Sequence, residues 1–292
     1  MGVTSREHRP SRSGGDGSYR ELVERAPVGL RPGAERGSLP APRPPEPGPL
    51  LFARFALPPN RLGYCGGDEA ASLLQHIAAG IVDEDLLRQC RDFEGAYPYL
   101  RLIAESGGIA DPLARSVVEG YWLAGPALRS ASRARLVEDL EIRFRPRTPA
   151  REWRWLAAKP SAGALPHHSF HVLEVLPRVG LLRAGIPTAL VPTLEQCLVR
   201  PARVVAVDGD ALTVAAPRLS LLGGRLRLRP GTQHETEVVA SRADGAVLVP
   251  DAVPGDVVAL HWGWACDRLT ERQTARLMRE TRASMARANA TI

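Results

Sequence analysis

The residues of this chain best suited to bind a metal are cysteines and histidines, and they fall in few places. Cys197 opens the segment Cys197-Leu-Val-Arg-Pro201, which runs into Arg203-Val-Val-Ala-Val-Asp-Gly-Asp210. His261 stands in Gly255-Asp-Val-Val-Ala-Leu-His-Trp-Gly-Trp-Ala265. A third group, His167-His168-Ser-Phe-His171, puts three imidazoles on one short segment. Deprotonated cysteine is a soft thiolate donor, and neutral imidazole suits iron, zinc or nickel. A tight turn ahead of Val172 would let two of the three imidazoles meet one ion. Cys65, in Gly63-Tyr-Cys-Gly66, or Glu174 would then complete the set, and Tyr64 and the neighbouring glycines would line the same cleft. The competing reading is a polar turn packed against helices, with one imidazole bonded to backbone. Cys90 lies in a helical pattern and reads as a small apolar core residue, and Cys266 reads as packing. The four cysteines include no CxxC pair, which argues against a conventional zinc site and against a disulfide framework.

The elements that must position these groups follow from pattern. The chain has 292 residues, enough for two domains of ordinary size. Residues 1–48 are dense in Pro, Gly, Arg and Ser and include the tract Pro40–Pro49, so they read as a disordered, extended arm. Residues 49–192 read as a mainly helical domain. Leu51–Ala56 fits a strand or a short helix, and Pro58–Gly67 fits a breaker-rich loop. Helices are expected from Asp68 to Gly80, with Asp68 as N-cap, then over Glu84–Glu94, Tyr97–Glu105, Pro112–Leu123 and Arg133–Phe144. Their aromatics, Phe93, Tyr97, Tyr99, Tyr121 and Trp122, read as core. Pro166–Leu176 reads as a strand entered through the histidine-rich turn, and Pro187–Pro192 as a linker.

Residues 193–292 change to a period of two. Candidate strands are Leu198–Val207, Ala211–Ala216, Arg225–Leu228, Glu235–Ala240, Ala246–Val249 and Asp256–His261, with turns at Asp208-Gly-Asp210, Gly223-Gly224 and Asp244-Gly245. Short strands so spaced suggest a small β-barrel of the OB type. Thr270-Glu-Arg-Gln273 is a capping box that opens a final helix, Glu271 to about Ala288. The expected fold class is therefore α+β and multidomain: a mainly helical domain, then a small OB-like β-barrel with a C-terminal helix.

Composition narrows the function classes. The net charge is +6, yet Lys159 is the only lysine and the arginines are spread along the chain among acids, as in Arg133-Ala-Arg-Leu-Val-Glu-Asp-Leu-Glu141. That scatter lacks the basic stripe of a nucleic-acid interface. No apolar run reaches the roughly 18 residues of a membrane helix, and no secretory signal pattern opens the chain. The expectation is a cytoplasmic protein bound to neither nucleic acid nor membrane.

The segments around Cys197 and His261 together resemble the HypC/HupF family of small hydrogenase-maturation chaperones. Cys197, Leu198 and Pro201 match the opening motif of that family. Val204, Val205, Asp208 and Gly209 match its following strand and turn. Gly255, Asp256, Val258, His261, Gly263 and Ala265 match its second motif, with Trp264 in place of a Phe. The resemblance covers residues from about 196 to 288 and implies a β-barrel followed by one helix. It also implies that Cys197 ligates iron carrying cyanide and carbon monoxide, transiently and together with a cysteine of HypD. The fragment would then pass to the large-subunit precursor of an [NiFe]-hydrogenase. His261 would support the cysteine, by a hydrogen bond or a local positive charge that lowers the thiol pKa. The chain departs from the family in three ways: Glu195-Gln196 and a whole domain precede the cysteine, Arg200 replaces an aliphatic residue, and Leu219–His234 is longer and more basic. The helical segment is similar to an uncharacterised bacterial family that combines Pro-Pro-Asn-x-Leu-Gly-Tyr-Cys-Gly, Phe-Glu-Gly-Ala-Tyr-Pro-Tyr and His-His-x-Phe-His motifs, from which no activity follows.

The leading expectation is thus an accessory chaperone of [NiFe]-hydrogenase maturation rather than an enzyme. It would hold or deliver the iron-cyanide-carbonyl fragment through Cys197 and dock a HypD-like protein or a large-subunit precursor. The alternatives are a metal-dependent enzyme built on His167, His168, His171 and Cys65, and a metal-free interaction scaffold.

Overall fold

The first helix, α1 (Gly48–Arg61), is mostly apolar, with Arg54 and Asn60 among its few polar residues, and every residue from Gly48 to Asn60 is buried. A helix buried on all sides belongs in the middle of a core. α1 accordingly packs against α2 (Ala70–Ala79), α3 (Glu84–Arg91) and α5 (Arg115–Leu123) on one side, and against strands β8 (Val257–His261) and β9 (Trp264–Arg268) on the other. The remaining helices of this part are α4 (Tyr97–Gly107), α6 (Arg133–Phe144) and α7 (Ala150–Ala157). The computed structural model describes residues 46–179, 190–232 and 234–291. The proline-rich arm, up to residue 45, and the start of the expected Pro187–Pro192 linker lie outside the described residues.

Three expectations about this part are corrected. α1 runs through Pro58 and Pro59 to Arg61, where a loop was expected. A proline in a helix removes the N–H that would bond the carbonyl four residues back. Both prolines fall in the last turn, and the carbonyl that Pro59 leaves free, that of Phe55, is taken by another group (below). The segment after Pro166 is helical, not a strand. It forms α8, an unbroken run of His168–Phe170, His171–Val175 and Leu176–Val179. Its middle piece is a π turn, with Leu176 N–H bonded to the His171 carbonyl. A fully buried apolar run such as Val172–Val175 has no periodicity that separates helix from strand, and its β-branched residues favoured the wrong choice. The expected N-cap at Asp68 is also displaced, since α2 starts at Ala70 without a side-chain cap.

The second part follows α9 (Val191–Cys197). It contains β1 (Arg200–Asp208), β2 (Ala211–Ala215), β5 (Thr236–Ala240), β8 and β9, which neighbour one another in the order β1-β2-β5-β9-β8. β8 returns to β1 with Arg200 opposite Leu260 and Arg203 opposite Val257. The sheet is mixed, because β5 and β9 pair in parallel at Ala240 and Trp264. Two hairpins stand apart, β3 (Arg218–Leu222) with β4 (Arg225–Arg229) and β6 (Arg242–Ala243) with β7 (Ala246–Val247). The capping box of the last helix, α10 (Glu271–Asn289), is formed as expected. The architecture is thus helical first, then a mixed sheet with a C-terminal helix. Among the described residues no helix is long and apolar enough to cross a membrane.

One core runs through both parts, joining Phe52, Phe55 and Trp122 to Val258, Leu260 and Ala265. The described residues accordingly form a single compact unit. Two buried charge networks tie the parts together. Arg54 of α1 bonds the Leu248 carbonyl (2.6 Å) and pairs with Asp267 of β9 (3.2 Å) and with Glu46. The lone lysine, Lys159, is only 3 % exposed; it bonds the Arg287 carbonyl of α10 at 2.6 Å and stands 3.8 Å from Glu174. Burial raises the pKa of Asp267 against the pull of Arg54, so removing the arginine would strand a desolvated carboxylate. Arg54→Ala is expected to cost about 3 kcal/mol in urea unfolding, and a loss under about 1 kcal/mol would show that the network does not hold the sheet to α1.

Candidate metal centre

Three histidine and cysteine side chains from distant segments meet at the junction of the two parts. His168 is the first residue of α8, Cys197 the last of α9 and His261 the last of β8. One potential donor atom from each lies within 4.8 Å of the others. Sheet register explains half of this meeting. The antiparallel pairing of β1 with β8 brings the end of α9 beside the β8–β9 turn, where Trp262 N–H bonds the Gln196 carbonyl at 2.8 Å. α8 contributes the third group because it is helical, so that His168 and His171 lie one turn apart on one face.

Hydrogen bonds set which nitrogen each ring offers. Nδ1 of His261 is 2.7 Å from the Phe55 carbonyl freed by Pro59. A carbonyl only accepts, so Nδ1 carries the proton and Nε2 carries the lone pair. That Nε2 is buried and makes no well-aligned hydrogen bond, although the Cys197 backbone lies near enough to oppose the fall in the His261 pKa. An imidazole fixed by a backbone carbonyl at one nitrogen and bare at the other has the arrangement of a metal ligand. His168 is held between the Tyr121 hydroxyl, 3.1 Å from Nδ1, and the Cys197 carbonyl, 2.7 Å from Nε2. The Tyr121 hydroxyl also donates to the Gly95 carbonyl at 2.9 Å. Two proton arrangements fit these contacts. With Nε2 protonated, His168 donates to the Cys197 carbonyl, and its Nδ1 competes with the Gly95 carbonyl for the Tyr121 hydroxyl hydrogen. With Nδ1 protonated, His168 donates to the Tyr121 oxygen, and Nε2 could serve a cation only by turning away from the Cys197 carbonyl. Trp122 packs against both rings, with centroids 4.5 Å from His168 and 5.3 Å from His261.

Burial keeps the whole cluster neutral in the absence of a cation. It lowers the pKa of His261 to about 4 and that of His171 to about 3, and holds His168 well below the usual imidazole range, with His261 adding repulsion. Burial also pushes the Cys197 thiol up to about 12, with Cys65 adding to the rise and the Trp262 indole opposing it. A divalent cation held there would stabilise the Cys197 thiolate and meet imidazoles already deprotonated, so its binding would release the thiol proton.

The cluster forms part of the wall of a cavity of about 160 Å³ that Cys65, Gly95 and His171 also line. Tyr64, 61 % exposed, stacks on Trp262 at 4.2 Å along the same cavity. Trp262 and Gly263 form the two-residue turn between β8 and β9, with φ of 50° and 77°. Such a turn calls for residues tolerant of positive φ, and a tryptophan there is strained, so the stack is held at a cost. The structure thus brings Cys65, His168, His171, Cys197 and His261 to one cavity. His167 is turned away from it, with Nδ1 on the Ser169 hydroxyl (2.8 Å) and Ser169 bonded to Ser284 of α10. Glu174, also considered as a ligand, points instead to Arg287 at 3.0 Å and to Lys159. Cys90 and Cys266 are fully buried away from the cavity. The hydroxyls of Tyr121 and Tyr99, which orient His168 and His171, carried no signal in the sequence, where they read as core aromatics.

Residues 44–292 match the model of a family described as Family of unknown function (DUF6390). The chain belongs to that family. The match to DUF6390 spans the helical part and the sheet alike, so the cysteine and all the histidines discussed fall within one family model. No curated protein and no solved structure matches this DUF6390 chain.

The four histidines His167, His168, His171 and His261 share depressed pKa values, about 3 for His167. In the unfolded chain each titrates near 6.5, so below that pH the unfolded state takes up protons that the folded state refuses. The stability they give is present above about pH 6.5 and is lost as pH falls toward 4 and below. The urea midpoint should therefore drop steeply between pH 7 and pH 4, with a proton uptake on unfolding approaching about four. A flat profile over that range would show the imidazoles to be solvated.

Proposed function

We propose that this DUF6390 chain is a metal-handling accessory protein that holds one transition-metal ion at His168, Cys197 and His261. The observation that carries the reading is the convergence of these three side chains, with a buried Nε2 on His261 that makes no well-aligned hydrogen bond. Two imidazoles and a thiolate suit iron, copper or zinc. The HypC/HupF resemblance favours iron, carried as the cyanide- and carbonyl-bearing fragment of [NiFe]-hydrogenase assembly, and makes the protein a cytoplasmic chaperone rather than an enzyme. On this reading the closed strand order β1-β2-β5-β9-β8 with α10 is an OB-type barrel with its C-terminal helix. A soft thiolate among apolar walls suits low-spin iron with such ligands. The partner would be a HypD-like protein or a large-subunit precursor. Cys197 is partly exposed and lies beside the Tyr64–Trp262 stack along the same cavity, so on this reading the fragment would be handed on past that stack.

One observation favours a second reading. The cavity extends beyond the three donors to His171 and Cys65, as a reacting site would need, so a metal-dependent enzyme is the rival.

Anaerobic reconstitution with Fe(II), followed by metal analysis, is expected to give about one ion per chain. Cys197→Ala, His168→Ala and His261→Ala should each weaken binding by at least about tenfold, Tyr121→Phe by roughly tenfold through the orientation of His168, and His167→Ala should leave it unchanged. Undiminished binding in all three ligand variants would refute the centre. In the host, Cys197→Ala should abolish maturation of the hydrogenase. Normal maturation with a metal site intact in the wild-type chain would favour the enzyme over the chaperone.

A further inference from the structure

Three protein donors leave a metal short of its usual coordination, which is how sites that accept a further ligand are built. The space beside the donors is about 160 Å³, several times the roughly 30 Å³ share of a water molecule but below the size of sites for drug-sized ligands. Among the described residues no carboxylate, lysine or arginine lines it.

The wall formed by His171, Cys65 and Gly95 has a definite polarity. Nδ1 of His171 faces the Tyr99 hydroxyl at 3.2 Å. Above the Tyr99 ring, 4.3 Å from its centre, lies the guanidinium of Arg143, which has only donors to offer. The hydroxyl hydrogen thus goes to Nδ1, and the neutral ring keeps its own proton on Nε2. That Nε2 and the Cys65 sulfur both lie beside Gly95. A Cβ added at Gly95 would stand 3.6 Å from His171 Nε2 and 3.5 Å from Cys65 Sγ. The backbone of Gly95 does not adopt the positive φ that reserves a position for glycine, so its effect is to keep this space open. His171 consequently offers a donor to the cavity where His261 offers a lone pair.

We propose that the cavity binds a small anion of a few heavy atoms as an added ligand of the metal, with His171 Nε2–H as its hydrogen-bond donor and Gly95 and Cys65 as its wall. The proposal rests on the metal-holding reading above and names what that site takes from solution. His171 is then a ligand-positioning residue and not a metal ligand.

The test uses the full chain loaded with Co(II), whose visible spectrum reports its coordination, and azide as the probe anion. Azide should shift the spectrum of the wild-type complex in a saturable way. His171→Ala should weaken azide binding by at least about tenfold, as expected for a lost hydrogen bond to a charged group, with Co(II) affinity within about twofold of wild type. His171→Gln, which restores a donor, should recover part of the loss. Gly95→Ala provides a check with little folding risk, since its methyl group would meet only ordinary contacts; it too should weaken azide and spare Co(II). Azide binding unchanged in both His171→Ala and Gly95→Ala overturns the proposal, as does loss of Co(II) in His171→Ala, which would make His171 a ligand. Failure of the wild-type chain to bind Co(II) at all removes the metal-holding reading, and this proposal with it.

Discussion

The hydrogen bond from His261 to the Phe55 carbonyl joins the sheet to the central helix in the middle of the core. It exists because Pro59 has no N–H to occupy that carbonyl, and a buried carbonyl left bare would be costly. The same bond decides the tautomer of His261 and so determines that a lone pair faces Cys197 and His168. Packing, backbone satisfaction and site chemistry meet in this one contact. Much of the surrounding order follows from it: the full burial of α1, the lodging of Trp122 against both imidazoles, and the approach of α8 from the far side.

The cluster is neutral by design of its surroundings rather than of its residue types. Each of its members would be easily titrated in water, and burial removes that freedom. The result is a site whose resting state carries no charge. The buried ion pairs of Arg54 with Asp267, and of Glu174 with Lys159 and Arg287, lie outside the cavity and hold the two parts in register around it. The charged groups thus carry the scaffold, while uncharged ones face the cavity.

Much of the scaffold was legible in the sequence. Helices α3 to α6 and α10 announce themselves by spacing, breaks and caps, as with Thr270 and Gln273, and β1, β2, β4, β5 and β8 by alternation and glycine turns. Cys197, His261, His168 and Cys65 were recognisable as separate candidates. Their shared cavity was not, because a strand over Pro166–Leu176 would have turned His168 and His171 to opposite faces, and only the buried environment selects the helix with its π turn. β9 was hidden for a related reason: Trp262 is not a residue that marks a two-residue turn, so Trp264–Arg268 read as the tail of a motif. The helical course of Pro58 and Pro59 was equally invisible, since it depends on a donor about two hundred residues away in sequence.

Lys159, committed to the last turn of α10, gives the folded chain an unusual chemical surface. It is the only lysine in the sequence, and it is enclosed. Every other basic group outside the histidines is a guanidinium, which reagents and enzymes that acylate side-chain amines do not attack. Lysine-directed acetylation, ubiquitin conjugation or amine cross-linking would therefore report not on the surface of this protein but on the moment when α10 lifts away from α8.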